Sequence, residues 1–178
     1  SCFEGCRALT QVLFPDNGSK LSIGKSAFRD CTALTSLTLY DFQVAKNNQP
    51  FNGSGIQQIT TTSITSLGQD ALNGLPEGFT LTCLDSMNVS RLDKYTFGKT
   101  TNVTFHVPAA YVDQLTNYFY GDVHVEELQE AVAFLEDGSG SVTGYASLAK
   151  AFAAINASSA QGPFTLTVKS GLSTADAY

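Results

Sequence analysis

The sequence predicts an α/β solenoid of short stacked coils, and three observations carry that prediction. The segment Ala27-Phe28-Arg29-Asp30-Cys31, continued by Leu34, Leu37 and Leu39, has an earlier counterpart in Cys2-Phe3-Glu4-Gly5-Cys6, Leu9, Val12 and Phe14, displaced by 25 residues throughout. Self-similarity at such a period is the signature of a repeat architecture. The lead-in Ile23-Gly24-Lys25-Ser26-Ala27-Phe28 recurs as Leu67-Gly68-Gln69-Asp70-Ala71-Leu72, and more loosely as Leu92-Asp93-Lys94-Tyr95-Thr96-Phe97. With a weaker copy at Phe51, the anchors fall at Phe3, Phe28, Phe51, Leu72 and Phe97, in steps of 25, 23, 21 and 25. Finally, Leu37 and Leu39 alternate with polar residues, as a half-buried strand requires. The Ala-Phe segment is too short to be a stable helix alone and suits a single turn on the opposite wall.

Taken in order, the first coil runs to Phe14-Pro15 and the second from Leu21 to Tyr40-Asp41. Residues 43–50 read as a polar insertion forming a rim loop. The third coil is degenerate, with Ser54 in place of the cysteine and Thr61 where Leu39 would be. Coil four has Leu72 and the strand Phe79-Thr80-Leu81-Thr82-Cys83. Coil five has Leu92, Phe97 and the alternating Val103-Thr104-Phe105-His106-Val107. From Pro108 the spacing changes, and Tyr111, Leu115, Tyr118 and Phe119 share one face of a predicted helix over 109–119. The short strand Val123-His124-Val125 follows. Such a segment is expected to cap the apolar interior, as terminal repeats must.

These residues resemble the BspA-like leucine-rich repeats of bacterial surface proteins, whose pattern is roughly "Ile-Gly-x-x-Ala-Phe-x-x-Cys-x-x-Leu-x-x-Ile-x-Leu-Pro". The second copy matches almost throughout, and the resemblance covers about residues 1–128. It implies a right-handed leucine-rich-repeat superhelix of about five coils with a helical C-terminal cap. It also implies a bacterial cell-surface or secreted setting and non-catalytic recognition or adhesion: binding of a host or matrix protein, a glycan or another cell. The alternative is an accessory or spacer module of a larger glycan-active secreted enzyme. Residues 109–119 resemble the family's closing segment, with Leu115 where an aromatic would stand.

A second, truncated α/β unit is expected over 129–178: a strand near Ala133-Phe134-Leu135, a helix capped by Ser147 carrying Leu148, Ala151, Phe152 and Ile155, and the strand Phe164-Thr165-Leu166-Thr167-Val168. Strand, helix, strand reads as the start of a βαβ-like or β-helix-like domain. The loop Asp137-Gly138-Ser139-Gly140-Ser141 is acidic but lacks the further oxygen ligands of a calcium site. The chain reads as a fragment of a longer protein.

Composition narrows the function. The 178 residues carry a formal charge of −6 and a pI near 4.7, which argues against a nucleic-acid partner because phosphates need a basic surface. No apolar run approaches a membrane span. Cys2, Cys6, Cys31 and Cys83 form no Cys-x-x-Cys pair, so a zinc site is not indicated. Cys6 and Cys31 hold matching positions, expected to face the interior as free, structural thiols. His106 and His124 have no sequence-local nucleophile or carboxylate partner arranged for catalysis, and Glu126, Glu127 and Glu130 read as a solvated face. Asn-x-Ser/Thr triplets at Asn17, Asn52, Asn88, Asn102 and Asn156 report polar loops. No cofactor and no catalytic residue is expected. What remains is surface. The outward strand positions form two rows, Gln11, Ser36, Gln58, Thr80, Thr104 and Leu13, Thr38, Thr60, Thr82, His106, with Tyr40 at the sheet edge. They are the candidate binding face, with none of these side chains expected to point into the core.

Overall fold

The computed structural model describes residues 2–15, 19–128, 133–136, 142–145, 155 and 165–168. The chain divides into two compact units, Ser1–Leu128 and Gln129–Tyr178. The first holds a six-stranded parallel sheet in which sequence order equals spatial order: β1 (Leu21–Ile23), β2 (Ser36–Val44), β3 (Gln58–Leu67), β4 (Thr80–Met87), β5 (Val103–Val107) and β6 (Val123–Glu127). Sequential parallel neighbours make a solenoid, because each strand is reached only after the chain has circled through the opposite wall.

Coils two to four have two strand limbs joined at a corner. In β2 the buried residues are Leu37 and Leu39, then Phe42 and Val44, so the period of two breaks across Tyr40-Asp41. Register shifts between Phe42 and Gln43, and between Thr61 and Ser63, mark the bend in the ladder. Residues 43 and 44 therefore belong to β2, and the expected rim loop over 43–50 is shorter at its start. β1 pairs with Phe42–Val44, which makes it the second limb of coil one. Where Leu39 occupies the inner corner of coil two, Thr61 and Cys83 occupy it in coils three and four. The Thr61 hydroxyl lies 3.2 Å from the Tyr40 carbonyl and 2.9 Å from that of Ser63, and the Cys83 thiol lies 3.3 Å from the Ser86 carbonyl. These small donors serve backbone acceptors that the bend takes out of the ladder.

The opposite wall is built from the anchors. Phe28 stacks between Phe3 at 5.4 Å and Phe51 at 6.0 Å, and Phe97 meets Phe119 edge-on at 5.1 Å. Leu72 is buried among them. The wall has its own ladder, in which the amides of Phe3, Phe28 and Leu72 donate to the carbonyls of Ala27, Pro50 and Thr96 on the following coil. Two residues past the anchors the backbone turns left-handed at Gly5, Asp30, Gly53 and Gly74. Gly68 admits close approach of the coils: a Cβ there would stand 2.5 Å from the Lys46 backbone nitrogen.

As expected, Phe28, Leu37 and Leu39 are buried. Three expectations are corrected. The helix α1 (Ala109–Leu115) stops at Thr116, after seven residues, and the chain returns to add β6 beside β5. Phe119 takes the anchor place against Phe97, whereas Leu115 is fully buried in the core. Cys6 is exposed while Cys31 is buried, its thiol covered by coil one, where the Phe3 carbonyl lies 2.9 Å away.

In the second unit β7 (Ala133–Glu136) is flanked by β8 (Val142–Tyr145) and β9 (Thr165–Val168), both antiparallel to it. This corrects the βαβ-like expectation, since a βαβ crossover joins parallel strands; β8 was not foreseen. Ile155 is helical. Ser147, Leu148, Ala151, Phe152 and the loop over 137–141 lie outside the described residues.

Candidate functional site: the outer face of the parallel sheet

The rows expected from the sequence coincide with the strand register. Ser36, Gln58, Thr80 and Thr104 are successive partners, and so are Thr38, Thr60, Thr82 and His106. β6 extends both rows, placing His124 beside Thr104 and Glu126 beside His106. The sequence reading missed these two positions, although the Val123-His124-Val125 alternation was the signal for them. Gln11 and Leu13 are exposed, in a segment that forms no strand, with Leu13 at 68% exposure.

Most row residues are half-buried: parallel strands about 4.8 Å apart pack same-face neighbours against one another. Thr60 is only 5% exposed. It accepts a hydrogen bond from the Gln58 amide at 3.3 Å and lies between Thr38 and Thr82. The expectation that it stands freely outward is therefore corrected. Tyr40 sits at the corner between the limbs of β2 and not at the end of the strand, and its side chain is half-buried.

The charged groups on this face are few. His106 Nδ1 lies 3.7 Å from Glu126 Oε2, and His124 Nε2 lies 3.2 Å from Asp122 Oδ1. Among the described residues no three His, Cys, Asp or Glu side chains gather as a metal site would require. Burial raises the pKa of both interior thiols. That of Cys83 is pushed up to about 12, and the neighbouring backbone amide offsets this only in part. For Cys31 burial likewise outweighs the backbone hydrogen bond from Cys6. Both are inert thiols, since the thiolate is the reactive form. Beyond the corner lies a cavity of about 600 Å³, lined among others by Lys20, Asp41, Thr65, Arg91 and Tyr111. Thr65 donates to Asp41 at 2.7 Å there.

The coil anatomy, with its anchor column and in-register strands, is matched by a family model. Six copies of the BspA type leucine-rich repeat region cover residues 1–126. The chain belongs to the BspA-type leucine-rich repeat family. The anchors from Phe3 to Phe119 lie within the matched residues, on a solenoid of about five turns. Comparison with curated proteins and with solved structures returned no match. Leucine-rich repeats of this kind are protein-interaction scaffolds, binding through extended surfaces. No helix among the described residues is long and apolar enough to cross a membrane.

Proposed function

We propose that this BspA-type solenoid is a non-catalytic recognition module acting at a bacterial cell surface or in the extracellular space, and that the outer face of its sheet contacts a protein partner. The observation that carries this reading is the pair of in-register rows running from Ser36 and Thr38 on β2 to His124 and Glu126 on β6. Short hydroxyl side chains on a hydrogen-bonded sheet present donors and acceptors at fixed spacing, and little side-chain entropy is lost when a partner orders them.

Size sets the demands on the site. The five strands β2 to β6 at about 4.8 Å spacing give a face about 19 Å wide, and two rows about 7 Å apart cover only a few hundred Å². A stable interface takes about 800 Å² per partner. The contact must therefore extend past the rows to the corner, where Tyr40 is the aromatic able to anchor it.

The test is binding of the wild type and of Tyr40→Ala/Thr82→Lys to a panel of purified matrix proteins by surface plasmon resonance. Thr82 is chosen over the occluded Thr60 so that folding survives the added lysine. The double variant is expected to lose at least about tenfold in affinity. Equal binding by both proteins would remove the sheet face as the site. Failure of the wild type to bind any panel member would favour the accessory or spacer role.

A further inference from the structure

On the opposite wall two tyrosines remain outside the core. Tyr95 and Tyr120 are 43% and 55% exposed, while their neighbours Phe97 and Phe119 fill the interior. Their rings stack at 4.7 Å with planes 16° apart. The arrangement is held from several sides. The Tyr95 amide donates to Asp93 Oδ1 at 2.8 Å, the Tyr120 amide donates to the Lys94 carbonyl at 2.8 Å, and Lys94 Nζ lies 5.3 and 4.8 Å from the two ring centres. Exposed aromatic surface so firmly fixed does not serve the core.

Tyr95 also borders a cavity of about 560 Å³ that crosses coils three to five, while Tyr120 lies outside it. Its other walls carry Gln49, Asn52, Gln69, Asp70, Asn73 and Lys99. Among the described residues, the side chains of Gln49, Asn52, Gln69 and Asp70 make no intramolecular hydrogen bond. Asn73 uses its Oδ1 to accept the Lys99 amide at 2.8 Å, which leaves its Nδ2 to donate elsewhere. Four amides and one carboxylate with unused capacity thus line a groove that ends at a fixed aromatic ring.

We infer that this groove is a carbohydrate-binding site taking a neutral, hexose-based oligosaccharide. A pyranose ring has a face of C–H groups, which lies flat on an aromatic ring, and an equator of hydroxyls that both donate and accept. Amide side chains answer such hydroxyls in both senses, and a carboxylate accepts from a vicinal pair. Other ligand classes fit less well. Asp70 and Lys99 balance, so there is no cationic cluster for a phosphate, sulfate or sialic acid. The lining is too polar for a hydrophobic peptide anchor. The volume lies within the roughly 300–1,000 Å³ of small-molecule sites and suits about two or three hexose units. The site is separate from the sheet face and does not depend on it.

The experiment begins with an array of immobilised neutral, sialylated and sulfated oligosaccharides. The best neutral trisaccharide is then titrated calorimetrically, with saturation-transfer NMR to show which sugar protons meet aromatic ones. Wild type should prefer neutral hexose glycans, with transfer to the C–H face of one ring. Tyr95→Ala should weaken binding at least about tenfold, Tyr95→Phe should retain it, and Tyr40→Ala/Thr82→Lys should bind as wild type. Gln69→Ala, which leaves the stacked rings intact, should also weaken binding, and it decides the matter if Tyr95→Ala lowers the melting temperature. The inference is overturned if no neutral glycan binds, if charged glycans bind better, or if Gln69→Ala and a folded Tyr95→Ala bind as wild type.

Discussion

Truncating Phe28 to alanine tests the anchor column, the feature on which the stack depends. Phe28 is 3% exposed, lies between Phe3 and Phe51 at 5.4 and 6.0 Å, and meets Phe14 edge-on at 6.4 Å. Removing its ring withdraws about 2 kcal/mol of apolar burial. It also leaves a space of about 100 Å³, which at about 24 cal/mol per Å³ costs about another 2.4 kcal/mol if it stays open. The wall ladder limits collapse, because the amides of Phe28 and Asp30 are tied to the Pro50 and Asn52 carbonyls. The expected loss is therefore about 4 kcal/mol, read from urea denaturation followed by far-UV circular dichroism. Phe28→Leu is the control. Leu72 holds the same position in coil four, so leucine should cost only about 1–1.5 kcal/mol. Phe3→Ala, at a site 36% exposed, should cost less than Phe28→Ala. If Phe28→Ala costs under about 1 kcal/mol, or no more than Phe28→Leu, the column does not hold the wall together.

Gly68→Ala would drive a Cβ to 2.5 Å from the Lys46 nitrogen and 2.7 Å from its Cα, so coils three and four must part; a loss of about 2 kcal/mol or more in the same denaturation assay is expected. Thr61→Val keeps the shape but removes the hydroxyl shared by the Tyr40 and Ser63 carbonyls, at an expected cost of about 1–2 kcal/mol. Cys83 makes stability depend on alkaline pH: its folded pKa is raised from 9.0 to about 12, so above pH 9 the unfolded chain gives up this proton first. The stabilisation is fully present below pH 9 and falls by at most about 1.4 kcal/mol per unit as pH rises towards the folded value. Cys83→Thr, which copies Thr61 at the same corner, should flatten the pH–stability curve in that window relative to wild type.

Much of the first unit was legible because repeats print the same physics several times. The anchors Phe3, Phe28, Phe51, Leu72 and Phe97 and the rows beside Leu37 and Leu39 follow from spacing and alternation alone. The second limb of the coils that have one was not, because Tyr40-Asp41 in coil two shifts the apolar phase and makes Phe42 and Val44 look unrelated to Leu37 and Leu39. The anchor Phe119 was obscured by α1, which stands between it and Val107. Cys31 is buried because the Phe3 segment of coil one covers it, a contact that the local pattern it shares with the exposed Cys6 does not encode. β8 is four residues with a glycine among them, a weak strand signal. The groove at Tyr95 has no sequence signature, since Gln49, Asn52, Asp70 and Asn73 meet only after the coils are stacked in register.

The cysteines provide the most direct measurement of that stacking, because two are exposed and two lie inside the stack. Cys2 and Cys6 are exposed and Cys31 and Cys83 are buried, all four as free thiols. Alkylation of the native protein under non-reducing conditions, followed by intact mass and peptide mapping, should modify Cys2 and Cys6 rapidly. Cys31 and Cys83 should react only on the timescale of unfolding, and all four should react in denaturant. Native labelling of Cys31 or Cys83 as fast as Cys6 would contradict the stacked-coil account.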